Sequence, residues 1–357
     1  MDSNKILDKV KMKIAISNSN KEDIVMNKTN INKMKKGIGI AACVVLGTTG
    51  ICFAANEIIH KFGLNASEGV DQAVENGYYS VANTKYKETN GINACIESFV
   101  LDSDNFAINI DFDFKNNNEL YKEINTGVEN KFDILDLKVV NEKNEKIFAT
   151  RELESEEKKN LYQTEKEARK KYDSYLGAYG TTYQKIEDGK IRYQLTATGN
   201  NEDFPSSKNI IVTFKKISIG KDVKGKVKES TYEGEWKFEI EVPEYMQKSS
   251  KIEYKLENIS EKNYKFEKAT LSNTAFKIYL NDCKGIALSD KSYVETTNGN
   301  KYYPARRSDG DGAIFEENGI IKYYNTFNLT KFDASNELKV HLYKDNGEEV
   351  IIELKAK

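Results

Sequence analysis

Asn105-Phe106-Ala107-Ile108-Asn109-Ile110-Asp111-Phe112-Asp113-Phe114 alternates large apolar side chains with small or polar ones. A period of two is that of a β-strand with unlike faces, so Phe106, Ile108, Ile110, Phe112 and Phe114 predict a core face, and Asp111 and Asp113 an outward, solvated one. Just upstream, Ile92, Ala94 and Ile96 alternate with Asn93, Cys95 and Glu97, and Asp102-Ser103-Asp104-Asn105 reads as the hairpin turn between the two runs. Further strands are predicted at 134–140, 145–149, 191–197, 209–219 and 235–242. Such a series of short strands predicts a β-sandwich. Trp236, the only tryptophan, shares a strand face with Phe238, Ile240 and Val242 and is expected to be a core anchor of the first sandwich, with Phe112 another core residue.

A stretch of about 152–176 interrupts the strands. It is rich in Glu, Lys and Ala, with Leu161, Ala168, Tyr172 and Tyr175 at helical spacings, and predicts an inserted helix. Val242-Pro243 closes the series, residues 247–250 read as a linker, and a second strand series follows at 251–256, 264–271, 274–281, 320–324, 338–343 and 350–354. The fold expected is mainly β: two immunoglobulin-like β-sandwich domains, residues 56–243 with the helical insertion and residues 250–357. Ser67, Val70, Ala73, Val74 and Asn76-Gly77 predict one short helix ahead of the strands.

Residues 37–55 carry no charge over nineteen positions, roughly 28 Å as a helix and close to the hydrocarbon thickness of a bilayer. Gly37, Ile40, Val44, Leu46, Ile51, Phe53 and Ala55 represent this expected single-pass transmembrane anchor. Lys33, Lys35 and Lys36 precede it, which by the positive-inside rule places residues 1–36 in the cytoplasm and the body outside the cell membrane. Two alternatives compete: a cleaved signal ending near Cys52-Phe53-Ala54, and a lipoprotein signal in which Ile40-Ala41-Ala42-Cys43 makes Cys43 the lipidation site. Gly39, Cys43 and Gly47 have the small-residue spacing that allows a homodimer of such helices.

The charge balance, 54 Lys+Arg against 56 Asp+Glu, offers no basic footprint for nucleic acid. With two histidines in 357 residues, His-based metal sites and triads have little to draw on. Asp309 and Asp311, in Asp309-Gly310-Asp311-Gly312, are the pair that suggests a cation, but the further oxygen ligands of a calcium loop do not follow, and a plain glycine-rich loop is favoured. No pair of carboxylates stands out for catalysis, and no cofactor loop follows a strand. Cys95 and Cys283 are expected to be buried thiols. The paired tyrosines Tyr78-Tyr79, Tyr302-Tyr303 and Tyr323-Tyr324 suggest a sugar or peptide platform less readily than one ring inside the core and one outside.

The lysine-flanked anchor, the helix Val70-Asp71-Gln72-Ala73-Val74-Glu75-Asn76-Gly77-Tyr78, the segments Ile96-Glu97-Ser98-Phe99-Val100-Leu101-Asp102 and Asn109-Ile110-Asp111-Phe112, and Trp236-Lys237-Phe238-Glu239-Ile240-Glu241-Val242 together are similar to a known family. The chain resembles single-span membrane proteins of Gram-positive bacteria with an immunoglobulin-like ectodomain of unassigned function, often encoded beside an extracytoplasmic-function sigma factor. The resemblance implies an extracytoplasmic sensor or anti-sigma-type regulator without catalytic residues, meeting a sigma factor through residues 1–36 and an unknown ligand outside. The alternative is an extracellular binding or structural module that does not signal.

Overall fold

Asn76-Gly77 ends the first helix among the described residues, α1 (Glu68–Glu75). Gly77 takes φ +85°, and its N–H and that of Tyr78 return to Val74 and Ala73, the left-handed stop that a residue without a β-carbon makes cheaply. There follow β1 (Ser80–Val81), β2 (Lys87–Thr89), β3 (Ile92–Leu101), β4 (Asn105–Asp113), α2 (Asn118–Asn125), β5 (Lys131–Ile134), β6 (Lys138–Asn141), β7 (Lys146–Ala149), β8 (Leu176–Glu187), β9 (Lys190–Gly199), β10 (Asn209–Val223) and β11 (Lys226–Glu241). After α3 (Glu244–Gln247) come β12 (Ile252–Ile259), β13 (Lys265–Leu271), β14 (Phe276–Asn281), β15 (Tyr293–Thr296), β16 (Lys301–Tyr302), β17 (Gly312–Glu317), β18 (Ile320–Phe327), a 3-10 turn (Lys331–Asp333), β19 (Glu337–Tyr343) and β20 (Glu349–Ala356). The structure is a computed structural model and describes residues 68–82, 84–125, 131–150, 176–199, 203–223, 226–247, 250–305 and 312–357. The expected anchor with Cys43, the segment 1–36, the insertion up to residue 175 and the pair Asp309 and Asp311 lie outside the described residues. No helix among the described residues is long and apolar enough to cross a membrane.

The protein is mainly β, with sandwich-like sheets. The first sheet runs β1-β3-β4-β9-β8 with β2 on β3, the second β11-β10-β6-β7 with β5 on β10, and the third β16-β15-β19-β20-β12-β13-β14-β18-β17. All the pairings are antiparallel. The first two sheets meet through aromatic side chains: Phe112 lies 5.0 Å from Phe132 and 5.7 Å from Phe214, and Phe214 stacks on Trp236 at 5.1 Å. Trp236 and Phe112 are completely buried, and Phe238 and Ile240 are buried with them. Its indole N–H donates to Ile92 O at 3.4 Å, which gives the ring's polar end a partner across the sandwich. Gly234 has no β-carbon because the six-membered ring of Trp236 lies where that atom would be.

The long hairpin β10–β11 puts β11 at the edge of its sheet, where free carbonyls invite another strand. Three side chains at the end of β2 occupy alternate carbonyls instead: Lys87 Nζ donates to Lys237 O, Thr89 Oγ1 to Glu235 O at 3.1 Å, and Asn90 Nδ2 to Glu233 O at 2.9 Å. The third sheet packs its own core, with Tyr254, Phe276, Ile278, Tyr323, Phe327, Val340 and Ile352 among it. After β16 pairs with β15, the chain crosses to β18, where Pro304 bridges Phe327 and Ala305 N–H donates to Thr326 O. The sheet therefore curls back on itself around that core.

Most expected strands appear, with β1, β2, β8, β15, β16, β17 and helix α2 as additions, and the strand expected at 134–140 is divided between β5 and β6. The expected outer face of β4 is overturned: Asp111 is not on a solvated face. It is 6% exposed and lies directly opposite Arg192 in the pairing of β4 with β9.

Candidate functional site

The β3–β4 turn places two carboxylates where the first two sheets meet the third. Asp102 Oδ1 accepts the N–H groups of Asp104 and Asn105, both at 2.8 Å, the local bonding that makes Asp a turn residue. Its other oxygen accepts the Thr274 hydroxyl at 2.8 Å, and Thr274 Oγ1 in turn accepts Asn105 Nδ2 at 2.7 Å. Thr274 belongs to the β13–β14 turn, in which the Ser272 hydroxyl accepts the N–H groups of Thr274 and Ala275. Two tight turns from distant parts of the chain are thus locked face to face.

Asp104 adds charge to this contact. Its Oδ1 lies 3.0 Å from Lys251 Nζ and 3.1 Å from Lys277 Nζ, and Lys251 also reaches Asp203 at 2.6 Å. Lys277 is 1% exposed on a strand whose neighbours, Phe276 and Ile278, belong to the core, and it donates to Gly199 O at 2.7 Å. Burial opposes the Asp104 charge, but Lys277 and Lys251 outweigh it and hold this carboxyl down at about 2. Asp102, next to it, is pushed upward by burial and by the Asp104 charge. One buried carboxylate is held by two cations, and its neighbour chiefly by hydrogen-bond donors.

Helix α1 docks on the same place. A β-carbon at Gly69 would collide with Thr274 O, so only glycine lets the helix lie this close to the β13–β14 turn. Asn328 Nδ2 donates to Glu68 at 3.2 Å, Thr330 Oγ1 to Gln72 at 3.3 Å, and Tyr78 OH to Leu101 O at 3.0 Å. Asp71 on this helix is raised to about 6 by burial and by Glu75 and Glu68. Helix α1 therefore touches both β units at their joint.

A second polar cluster lies on the face of β3, β4 and β9 away from the sandwich core. Arg192 grips Asp111 with two bonds, Nε to Oδ1 at 2.6 Å and Nη2 to Oδ2 at 2.7 Å, with Glu97 Oε1 3.7 Å from Nη2. Gln194 donates to Asn109, Asn109 to Ser98 and Ser98 to Glu97, at 3.0, 2.9 and 2.5 Å. All these side chains are buried. Polar groups taken from water persist when they bond to one another, as here.

The remaining candidates are dispersed. Cys95 and Cys283 are buried free thiols far apart in the fold. Burial and Asp111 push Cys95 up to about 12, and burial pushes Cys283 up to about 11, so both stay protonated and unreactive. Tyr78, Tyr79, Tyr323 and Tyr324 are all buried, against the expected one-in, one-out pattern, while Tyr303 is exposed beside half-buried Tyr302. His341 is held by Glu349 at 2.9 Å and stacks on Tyr293 at 4.2 Å. No group of three or more His, Cys, Asp or Glu among the described residues is placed to hold a metal ion. The joint was missed in the sequence because its charges come from residues 104, 203, 251 and 277. Lys277, a lone lysine inside the apolar run Phe276-Lys277-Ile278-Tyr279-Leu280, was the available signal.

No protein-family model matches the chain, and no curated protein matches it. Among solved structures it is similar to one described as the crystal structure of the conserved domain protein from Bacillus anthracis, at 14% identity and a TM-score of 0.41, covering 79% of this chain and 91% of that one.

Proposed function

We propose that the chain is a non-catalytic, membrane-anchored extracytoplasmic sensor or anti-sigma-type regulator, with two immunoglobulin-like β-sandwich domains outside and residues 1–36 inside. The observation that supports this reading is the docking of α1, which begins thirteen residues after the apolar stretch 37–55. Gly69, Glu68 and Gln72 rest on the third sheet, and the residues that follow join the first. A ligand or force that shifts the two β units against each other would be felt at this helix, the described one nearest in sequence to the expected anchor, which is what a signal needs to travel inward. The charged groups at the joint are engaged with one another and suit holding rather than turnover.

Protease shaving of intact cells with mass spectrometry of the protected peptides tests the address: residues 1–36 should survive and the body should be cut. A mature N-terminus at Cys43 or Asn56 would remove the inward segment and leave the extracellular binding module. Affinity capture with the 1–36 peptide should retain a sigma factor. Failure to retain it above a scrambled peptide would defeat the regulatory role.

A further inference from the structure

Strand β17 is the end strand of the third sheet. It pairs with β18 on one side and with no strand among the described residues on the other. Ile314 is 41% exposed and Phe315 36%, with Ile320 at 39% and Leu288 at 47% beside them. Opposed residues in an antiparallel pair share a face, so Phe315 and Ile320 lie on one face and Ile314 on the other, where Leu288 abuts Gly312. Apolar side chains on both faces of an open edge favour edge-to-edge pairing.

The turn fixes which backbone groups are on offer. Asn318 and Gly319 take φ +54° and +78°, a two-residue hairpin turn of the primed type, which makes Glu317 and Ile320 a hydrogen-bonded pair. Bonded and non-bonded pairs alternate from there, so Phe315 and Ala313 also point their amides at β18. Gly312, Ile314 and Glu316 turn theirs outward.

We propose that this edge pairs antiparallel with the same edge of a second copy of the chain, centred on Ile314. In that register Ile314 faces Ile314, Phe315 covers the small Ala313 of the second copy, and Glu316 faces Gly312, which has no side chain to resist it. The outward amides of Gly312, Ile314 and Glu316 then meet one another in three doubly bonded pairs. Centring on Phe315 instead would set Ile314 against Glu316 twice, which disfavours it. Glu317 is already neutralised by Lys322 at 2.6 Å. The contact is isologous, with each copy giving and receiving the same patch. It stands on β17 alone, independently of where the chain resides.

The full chain in mild detergent tests this by sedimentation velocity and oxidative cross-linking. The parent should sediment as a dimer, and Ile314→Lys should shift it to monomer. Ile314→Cys should form a disulfide-linked dimer well above the parent's background, because directly opposed bonded residues sit about 5.5 Å apart between Cα atoms. Phe315→Cys should not, since its counterpart lies beyond the ~7 Å that a disulfide spans. A monomeric parent, a dimer indifferent to Ile314→Lys, or more efficient linking through Phe315→Cys would each overturn the proposal.

Discussion

At the joint, Asp104 meets Lys251 across 147 residues of sequence; on the outer face of β4, Asp111 meets Arg192 on the next strand. Both acids are buried and ionically paired, yet the two pairs do different work. Asp111 and Arg192 are already opposed by a backbone ladder, so the planar, two-point grip of the guanidinium adds to a register that β4 and β9 hold anyway. No strand of the first two sheets pairs with the third among the described residues, so at the joint the side chains themselves carry the connection. Lysines suit that role as compact charges on flexible stems that can reach a turn from two directions.

Asp104→Asn should therefore be the most damaging change. It strands Lys277 in the interior, a loss on the order of 3–5 kcal/mol, measurable by urea unfolding followed through Trp236 fluorescence. Superposition of its unfolding curve on that of the parent would erase the distinction drawn above. Arg192→Met should cost about 2–3 kcal/mol, and the double change Arg192→Met with Asp111→Leu should return most of it, since the ladder remains. A double-mutant cycle reports that recovery directly.

Acid sharpens the contrast at smaller scale. The Asp104 carboxyl is held below its ordinary value, so its contribution is complete above about pH 4 and is lost as pH falls towards 2, roughly 2 kcal/mol in all. Unfolding midpoints collected across that window should show the loss in the parent but not in Asp104→Asn. Asp71 runs the other way. Its pKa is raised to about 6, so its contribution is full below its ordinary range and is lost as pH rises through 6. Asp71→Asn should stabilise the chain by about 1 kcal/mol at pH 7, after allowing for solvent around this partly exposed group, and by nothing below pH 4. Equal midpoints at pH 7 would show that helix α1 does not register this charge.

The alternation from Asn105 to Phe114 made β4 legible, and the spacing of Phe106, Ile108, Ile110 and Phe112 correctly assigned its core face. It misread Asp111 because periodicity separates two faces without revealing what meets the polar one. The complementary hint was on β9, where Arg192 and Gln194 alternate with Ile191, Tyr193 and Leu195. Strands β8 and β17 escaped notice because glycine and glutamate dilute their alternation, and β16 because two residues carry no period. The joint was harder still. Asp102-Ser103-Asp104-Asn105 was read correctly as a turn, but turn chemistry does not say which distant lysines will arrive there.

Strand β16 is two residues long, and the chain leaves it at once to reach β18. Among the described residues of the third sheet this leaves β17 as the long margin without a partner strand, while the opposite margin is too short to accept a neighbour. An assembly through that sheet consequently terminates after a single partner has been added and cannot propagate into a fibre.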